Sequence, residues 1–379
     1  MQLVELKTYQ FRNLEDQTIH FEDGVNVIIG NNGQGKTNVL EAISILSSVR
    51  SFRSSKLAEA IRWNQSEASI FGTIKSDSEI KTSLGVALDK KTKKAYINDA
   101  QVKSAEDFIG TLVCVTFTPD DLELVKGGPS ERRRFLDKAL AFLDRKIIRA
   151  LSSYNAALRS KNVLLRNSFG QPRDVLFEQL DSWNKVMAKH GAQIEAARRV
   201  LAKNLSDKAA KLYSSFSPES ESFELSLKSA GIKKEVSEYL LLEEITEARE
   251  REVAQGRSLV GPHRDDLLIS LSGIDSRAFA SQGQTRSIVL AIKLALIEEI
   301  QNVRHEAPII LLDDVDSELD ESRRRSFFEA IMSHGRQVII TATNAKDLPI
   351  PSQNTNQQLM FEGIISNMPD REMLRLTNP

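Results

Sequence analysis

Residues 30–37 have the spacing that a phosphate-binding loop needs. The stretch GNNGQGKT matches the pattern G-x-x-x-x-G-K-[ST] at each fixed position. Glycines let the backbone curl so that its N–H groups point at phosphate oxygens, and the positive end of a following helix adds to this attraction. We expect Lys36 to contact the β- and γ-phosphates and to act in catalysis, and the Thr37 hydroxyl to ligate Mg²⁺. The predicted nucleotide-binding residues are Gly30, Asn31, Asn32, Gly33, Gln34, Gly35, Lys36 and Thr37.

The alternative for this loop is a glycine-rich turn that binds no nucleotide. The loop follows a β-branched, apolar run that predicts a buried strand, and it precedes a helical pattern over residues 38–49. A strand before the loop and a helix after it are the context that distinguishes a phosphate-binding loop from a chance match. The sequence therefore favours nucleotide binding.

A second chemical element follows the apolar run at residues 309–312. This run predicts a buried strand, and two carboxylates, Asp313 and Asp314, come directly after it. We expect Asp313 to hold Mg²⁺ through water and Asp314 to act in catalysis by polarising the attacking water. Acidic pairs after strands are also common in loops, so the pair alone does not distinguish a metal site from a loop. Together with the phosphate-binding loop it predicts an ATP site with Mg²⁺.

A polar turn at residues 281–284, SQGQ, opens an apolar run with helical spacing. Taken alone, it is a short surface turn before a helix. It lies far along the chain from the phosphate-binding loop, and nothing in its own neighbourhood explains its residues. Whether the turn has a function beyond starting a helix depends on whether another segment of the sequence gives it a binding partner.

The hydrophobic patterns predict an α/β domain divided by a helical insertion. Short strands are expected in the first thirty residues. Residues 68–117, including the run 111–117, are predicted to form an antiparallel β region whose strands are separated by polar turns. Helical patterns dominate residues 130–216, and their apolar stripe is typical of packing between paired long helices. From Gly256 onward, strands and helices alternate again.

Composition narrows the classes of function. Lys and Arg together number 51 against 52 for Asp and Glu, for a net charge of −1. Any affinity for nucleic acid must therefore come from a local basic surface. Cys114 is the single cysteine, and we expect it to be a buried structural thiol. Five histidines and one cysteine show no zinc-binding spacing.

The apolar stretches are all short. The N-terminal residues include no run of signal-peptide length, and no segment reaches the ~18 apolar residues of a membrane span. We therefore expect a cytoplasmic protein without a membrane partner.

The order of these motifs resembles the ABC-type ATPases of the structural-maintenance-of-chromosomes (SMC) and DNA-repair branch. A phosphate-binding loop is followed by a long insertion, by SxGQ opening a helix, and by a strand with two aspartates and then SELD at 317–320. Several segments are similar to the RecF family within that branch. They are FRN (11–13), GNNGQGKTNVLEAI (30–43), SFR (51–53), SERRRFLD (130–137), SLVGPHRDDL (258–267), SQGQTRS (281–287) and LLDDVDSELD (311–320).

The resemblance implies a fold and a domain division. The fold is α/β, an ABC-type P-loop ATPase head with an antiparallel β subdomain, plus a mostly helical insertion lobe. The N-terminal part of the head, with the P-loop and the β subdomain, is expected over 1–118. The insertion lobe is expected over 119–255, and the C-terminal part of the head, with the signature turn, over 256–379.

The resemblance also supplies a partner for the SQGQ turn. In ABC-type ATPases two heads meet head to tail, and each ATP lies between one P-loop and the signature turn of the other subunit. Ser281, Gly283 and Gln284 are then expected to bind the nucleotide held by Lys36 of a second protomer. Asp320 is expected in the loop that crosses between protomers. The implied assembly is an ATP-dependent homodimer.

The function implied by the resemblance is that of an ATP-dependent DNA-binding protein of recombinational repair, replication-fork maintenance and the SOS response to DNA damage. It would recognise gapped DNA or single-strand/double-strand junctions, promote recombinase loading and hydrolyse ATP slowly, with stimulation by DNA. The implied partners are double-stranded, single-stranded and gapped DNA, together with RecR and RecO, and RecA downstream.

Other functions stay open beside this one. The nearest alternative is an architectural SMC-like DNA clamp with little hydrolysis. The nucleotide-binding subunit of a membrane transporter is disfavoured by the long insertion and the altered signature. A P-loop kinase would have no use for residues 281–284 or for Asp320.

Several positions depart from the wider ABC pattern. Ala280 and Gln282 replace the Leu and the first Gly of the transporter signature LSGGQ, and Asp314 replaces the usual glutamate. Residues 118–121, TPDD, include no Q-loop glutamine, and residues 341–343, TAT, include no switch histidine. The roles of both segments are therefore left open.

Basic residues cluster at four places, which are 90–94, 132–134, 198–199 and 323–325. Such clusters can follow phosphates without reading bases. For any one cluster a solvated face is the commoner outcome, and pairing with acidic neighbours is an equal alternative for 132–134. His263 and Arg264 in GPHRDD are interpreted as structural.

Overall fold

The structure is a computed structural model that describes residues 1–54, 56–216, 221–230, 237–314, 321–334, 337–344, 348–350 and 355–367. Asp320 and the rest of segment 315–320 lie outside the described residues. The chain divides into two compact units. One comprises Met1–Asp121 and Lys293–Pro379, and the other comprises Leu122–Ile292.

The strands in chain order are β1 (Gln2–Tyr9), β2 (Gln17–His20), β3 (Gly24–Ile29), β4 (Glu67–Lys75), β5 (Lys81–Asp89), β6 (Lys93–Ile97), β7 (Ala100–Gln101), β8 (Cys114–Phe117), β9 (Phe223–Lys228), β10 (Asp266–Leu271), β11 (Ile274–Asp275), β12 (Ile309–Asp313), β13 (Gln337–Ala342), β14 (Thr355–Phe361) and β15 (Ile364–Asn367). The helices are α1 (Lys36–Ser48), α2 (Ala105–Phe108), α3 (Glu123–Lys126), α4 (Pro129–Leu143), α5 (Arg145–Arg166), α6 (Arg173–Phe216), α7 (Glu238–Glu247), α8 (Arg249–Gln255), α9 (Ser276–Phe279), α10 (Gln282–Arg304) and α11 (Glu321–His334).

A mainly parallel sheet in the first unit positions the candidate site. Its strand order is β15-β14-β3-β13-β12-β8, and β3, β8, β12, β13 and β14 run parallel. Every residue of β12 and β13 is buried, as expected for parallel strands covered on both faces. The carboxyl ends of β3, β12 and β13 therefore lie at one edge of the sheet, where open α/β sheets bind ligands.

An antiparallel sheet in the same unit has the order β2-β1-β4-β5-β6-β7. Its buried side chains, among them Leu6, Ile70 and Val86, belong to one hydrophobic core with Ile43 and Leu46 of α1. The predicted antiparallel region is confirmed for β4 to β7. The sheet thus supports α1, the helix that follows the P-loop.

The same prediction is wrong for the run 111–117. β8 does not join the antiparallel sheet but pairs in parallel with β12, in a register that places Ile309 opposite Cys114. All four β8 residues are buried, and the Phe117 ring packs edge-on against Phe327 at 5.2 Å. A fully buried strand has no alternation to reveal its partner, which explains the error. Cys114 is buried and free, as expected.

The second unit is built on the hairpin of α5 and α6, with α4 and α7 packed beside it. The predicted stripe of packed helices is confirmed, and it consists of buried Leu176, Leu180, Met187, Ile194, Leu201 and Leu205. A sheet of order β11-β10-β9 completes the unit. The pairing of β10 with β9 places Asp266–Leu271 in this unit. The unit extends to Ile292, whereas the insertion lobe was predicted to end at residue 255. No helix within the described ranges is long and apolar enough to cross a membrane.

Candidate nucleotide-binding site

The P-loop connects β3 to α1, and its backbone depends on left-handed glycines. Gly33 has a φ of +82° and Gly35 a φ of +115°. A Cβ atom at Gly35 would lie 2.9 Å from Asn13 Oδ1, so a larger residue would collide there. α1 begins directly after the loop, at Lys36. The open N–H groups and the positive end of this helix therefore lie at the loop.

Lys36 is held across the loop by its own backbone. The side chain is buried, and its Nζ donates to the carbonyl oxygen of Gly30 at 2.7 Å and to that of Asn31 at 3.2 Å. An ammonium group has three donors, so one remains for an anion. The loop carbonyls thus fix the position of the predicted phosphate-binding lysine.

The two predicted metal ligands, 276 residues apart, are in contact. Thr37 Oγ1 donates to Asp313 Oδ1 at 2.8 Å. Thr341 at the end of β13, a residue to which the sequence assigned no role, donates to the same oxygen at 2.9 Å. Thr341 Oγ1 also accepts from the Asp314 N–H at 3.2 Å. β13 lies between β3 and β12, so its threonine orients the aspartate from the centre of the site.

Thr37 and Asp313 fit a Mg²⁺ site only if a bound phosphate supplies further ligands. A hydroxyl and a carboxylate are the hard oxygen ligands that Mg²⁺ prefers. No group of three or more His, Cys, Asp or Glu side chains in the described part of the chain could hold a metal ion by itself. Thr37 and Asp313 would therefore hold the ion with nucleotide oxygens completing its coordination.

Both acidic residues of the site have raised pKa values. Burial raises the pKa of Asp313, against hydrogen bonds from Thr37 and Thr341 that lower it. Burial also raises the pKa of Asp314, with Lys36 opposing the shift and the neighbouring Asp313 charge adding to it. A cation at this position would relieve the cost of both charges. The site is therefore suited to a divalent ion.

Comparison with known proteins agrees with this geometry. The family model described as "RecF/RecN/SMC N terminal domain" matches residues 2–359. The DNA replication and repair protein RecF of Limosilactobacillus reuteri is 36% identical over 371 residues, 96% of this chain and 97% of that protein. RecF of Bacillus cytotoxicus is 37% identical over 353 residues, covering 91% of this chain and 92% of its own.

The chain belongs to the RecF family.

Solved structures support the fold. A structure of the recombination mediator RecF with ATP is 31% identical, covers 97% of each chain and superimposes with a TM-score of 0.87. An SMC head bound to the C-terminal winged-helix domain of ScpA, at 15% identity and a TM-score of 0.55, shares the fold. The chain therefore has the ABC-type ATPase fold of RecF and SMC heads.

Two short motifs of the RecF resemblance, FRN and SFR, meet at one buried carboxylate. Glu41 of α1 is completely buried, and Arg12 grips it with Nε at 2.9 Å and Nη2 at 2.7 Å. Ser51 Oγ donates to the same carboxylate at 2.5 Å, and Arg53 Nη1 lies 3.8 Å from it. Neither motif was assigned a role from the sequence alone. A glutamate within the apolar pattern of α1 was the signal that could have indicated a buried partner for these arginines.

Asn13 of the FRN motif ties the P-loop to α1. Its Nδ2 donates to the Gly33 carbonyl at 3.2 Å, and its Oδ1 accepts from Asn38 Nδ2 at 2.6 Å. The loop and the first turn of α1 are therefore clamped by one side chain from outside the P-loop motif.

The hairpin of β14 and β15 holds the other side of the loop and was not predicted. The N–H of Gly363 donates to the Gln34 carbonyl at 3.0 Å, and the N–H of Glu362 donates to Gln34 Oε1 at 2.5 Å. A Cβ atom at Gly30 would lie 2.5 Å from the Met360 carbonyl oxygen. Gln34 thus serves to fix the loop, whereas Asn31 and Asn32 are exposed.

The signature turn in the second unit is a reciprocal helix cap. Ser281 Oγ accepts from the Gln284 N–H at 3.2 Å, and Gln284 Oε1 accepts from the Ser281 N–H at 2.8 Å. This is the capping-box arrangement of Ser followed three residues later by Gln. Gln284 Nε2 also donates to Glu221 at 2.7 Å. Gly283 lies in the first turn of α10, where its N–H has no carbonyl one turn earlier in the helix.

The segment that lacks a Q-loop glutamine is a closed turn. Asp121 Oδ2 accepts from the Thr118 N–H at 2.6 Å and forms an ion pair with Lys293. Its carboxylate is therefore engaged within the first unit. Asp120 and Thr343 are exposed. Thr341, not Thr343, is the residue of its segment that contacts the site.

The basic residues at 132 and 198 pair with acidic neighbours. Arg132 is buried and forms a two-pronged ion pair with Asp266, at 2.7 and 3.0 Å. Arg198 is buried against Asp137 at 2.7 Å and Asp265 at 3.1 Å. For Arg132 the predicted alternative of pairing with acidic neighbours is confirmed. Arg198 is also paired and is buried, so it does not lie on a solvated face.

His263 of the GPHRDD motif is structural, as interpreted. Its Nδ1 lies 2.6 Å from the Tyr154 hydroxyl, and burial lowers its pKa to about 4. Neutral and buried in the second unit, it has no ionic role near neutral pH.

Proposed function

We propose that this chain is an ATP-dependent DNA-binding protein of DNA replication and recombinational repair. The observation that carries the proposal is the contact between Thr37 and Asp313 beside Lys36, because these groups suit a nucleotide phosphate with Mg²⁺. Its relatives of about the same length are RecF proteins, described as DNA replication and repair proteins. A RecF structure of the RecFOR pathway contains ATP.

Different residues of the site bind the phosphates of ATP, hold the metal ion and activate water. The P-loop N–H groups cradle the phosphates, and Lys36 exchanges part of its hold on the loop carbonyls for phosphate oxygens. Thr37 and Asp313 would hold Mg²⁺, which would supply positive charge against the phosphates. Thr341 keeps Asp313 oriented, and Asp314 polarises the attacking water. One methylene shorter than glutamate, Asp314 suits slow hydrolysis and a switch.

The signature turn acts on the nucleotide of a second protomer. Ser281, Gly283 and Gln284 present a hydroxyl and the N-terminus of α10, which are suited to an anion. For this head-to-tail homodimer we keep the expectation from the sequence that Asp320 belongs to the loop that crosses between protomers. Loss of the γ-phosphate removes the shared ligand, so the dimer weakens after hydrolysis.

The biological role follows the family. The ATP-bound dimer recognises gapped DNA or single-strand/double-strand junctions, acts with RecR and RecO, and promotes RecA loading in the cytoplasm. DNA stimulates its slow hydrolysis. The closest alternative, an architectural clamp, predicts ATP-dependent DNA binding with no stimulation of hydrolysis by DNA, so an ATPase assay with and without gapped DNA separates the two.

The deciding experiment is the solution mass with ATP·Mg²⁺ and with ADP. We expect a dimer with ATP alone for the wild type, and a monomer for Lys36→Arg and Ser281→Arg. Ser152→Arg, an exposed serine on α5, is the matched control and should dimerise normally. Direct nucleotide binding is measured in parallel and should survive Ser281→Arg. A wild type that binds ATP yet stays monomeric would overturn the shared site, and a wild type that binds no ATP would overturn the whole proposal.

A further inference from the structure

The tip of the α5–α6 hairpin, residues 166–173, is a firmly held structure. A small hydrophobic cluster of Leu165, Leu176 and Leu180 lies directly behind it, with Val253 of α8 packed against the cluster. Within the turn, Ser168 Oγ donates to the Leu165 carbonyl at 2.8 Å. A turn braced in this way can present side chains in fixed positions.

A cavity of about 400 Å³ beside this tip is lined by arginines. Its lining residues are Arg159, Asn162, Val163, Arg166, Gly256 and Arg257. The α5 members are spaced i, i+3, i+4 and i+7, so they share one face of the helix. The residues around the cavity include three exposed arginines and no acidic residue. Their positive charge favours the approach of an anion.

The three arginines of the cavity form no ion pair within the described residues, unlike other arginines nearby. At the same tip, Arg173 pairs with Glu250 at 3.2 Å, and in the adjoining helices Arg249 of α8 pairs with Asp181 of α6 at 3.1 Å. Within the described residues, the arginines of the cavity have no acidic partner. Arg166 Nε donates to its own helix at the Asn162 carbonyl, and Arg257 donates to the amide oxygen of Gln255. Most of their charged N–H donors therefore stay available to a ligand.

An exposed aromatic side chain lies in the turn that follows Arg166. Phe169, three residues after Arg166 in the turn, is 101% exposed, and Val163 and Val175 are each nearly half exposed. A phenylalanine wholly in water at a braced tip contributes nothing to the core. An exposed aromatic beside arginines is the combination that proteins use to stack on bases while holding the backbone.

We propose that the hairpin tip binds DNA, with Arg159, Arg166 and Arg257 holding backbone phosphates and Phe169 stacking on a base exposed at a gap. The inference rests on the proposed function and names the surface that recognises the DNA. Arginine suits the phosphates because its planar fork donates two parallel hydrogen bonds. Stacking of an aromatic ring on a base depends little on which base it is, as expected for a protein that recognises a gap rather than a sequence.

The test compares gapped and blunt duplexes of equal length by fluorescence anisotropy, using the full-length protein with ATP·Mg²⁺ over a range of salt concentrations. The variants are Arg159→Gln/Arg166→Gln/Arg257→Gln and Phe169→Ala. Each phosphate contact contributes ~0.9 to the slope of log affinity against log salt, so the triple variant should lower that slope by about 2 to 3 for both duplexes. Phe169→Ala should lower the affinity for gapped DNA roughly 10-fold and leave blunt duplex unchanged.

Arg173→Gln is the matched control, because this arginine lies at the same tip but is already paired with Glu250. It should leave both affinities and the salt slope unchanged. The substituted side chains are exposed, so melting temperatures and ATP binding should also stay at wild-type values.

The outcomes separate the two proposals. A wild type that binds no DNA would overturn the proposed function. A wild type that binds DNA, with an unchanged salt slope in the triple variant and unchanged selectivity in Phe169→Ala, would overturn the inference alone. Variants that keep DNA binding but lose a protein partner would show that the tip docks a protein and would equally overturn it.

Discussion

The buried carboxylate of Glu41 makes a strong test of how the P-loop is supported. Arg12→Ala removes two hydrogen bonds to Glu41 and a third, from Nη1 to the Glu59 carbonyl at 2.7 Å. Glu41 is 0% exposed, so water cannot replace the lost guanidinium. Ser51 and Arg53 remain near the carboxylate and offset part of the loss.

The magnitude follows from this geometry. Breaking a buried ion pair by removing one partner costs about 3–5 kcal/mol. The remaining partners place Arg12→Ala at the lower end, about 3 kcal/mol. For a unit of this size, each kcal/mol lowers the melting temperature by about 2–4 °C, so a fall of about 6–12 °C is expected. ATP affinity should fall as well, since Glu41 lies on the helix that begins at Lys36.

The assay is differential scanning calorimetry of Arg12→Ala, Glu41→Gln and the double variant. Glu41→Gln removes the charge, so the double variant should be less destabilised than the sum of the single variants. Arg134→Ala is the control, because that arginine is exposed and pairs with Glu131 on the surface, where loss costs less than about 1 kcal/mol. Equal melting temperatures for Arg12→Ala and Arg134→Ala, or strictly additive effects, would refute the buried-pair argument.

Three further predictions concern the site. Thr341→Val should weaken Mg²⁺-dependent nucleotide binding about 5-fold, the effect of one lost hydrogen bond to Asp313, while Thr341→Ser should bind normally in the same titration. Because burial raises the pKa of Asp313, its contribution to stability without ligand is present at low pH and is lost as pH rises through that pKa. Mg²⁺ binding should therefore strengthen with rising pH and release protons. Asp313→Asn should reduce the release measured by calorimetry in two buffers, while the part that comes from Asp314 remains. Gly363→Ala should lower both melting temperature and nucleotide affinity, because its Cβ would lie 2.1 Å from the Asn13 carbonyl oxygen. Gly273→Ala, with the same sign of φ but nothing within 4 Å, should cost only backbone strain of about 1 kcal/mol and leave nucleotide affinity unchanged.

The P-loop and the predicted Mg²⁺ ligands could be identified from the sequence because each belongs to a short motif with a characteristic flanking pattern. Gly33 and Gly35 adopt the left-handed backbone that the motif requires, and Lys36 and Thr37 follow at the start of a helix. Asp313 was predictable from the apolar strand before it. A short motif with its flanking pattern thus specified which side chains meet, although 276 residues separate two of them.

The strand partners were not predictable in the same way. β8 is buried throughout and apolar except for Thr116, so its sequence is equally compatible with either sheet of the first unit. The choice depends on the buried faces of β12 and α11. β14 is rich in polar residues, and one of them, Gln358, is buried through a hydrogen bond to the His20 carbonyl. Its strand character comes from pairing with β3, a tertiary contact that periodicity does not record.

The turn at residues 281–284 shows that a local structural role and a ligand-binding role are compatible. The bonds between Ser281 and Gln284 satisfy two N–H groups that a helix start would leave open. The N–H groups of Gln282 and Gly283, between them, have no carbonyl one turn earlier. Because the Ser281 hydroxyl only accepts in the cap, its proton can be donated to an anion. The interpretation as an ordinary helix start is thus correct for one protomer, and the same cap leaves the donors that a second protomer's phosphate would need.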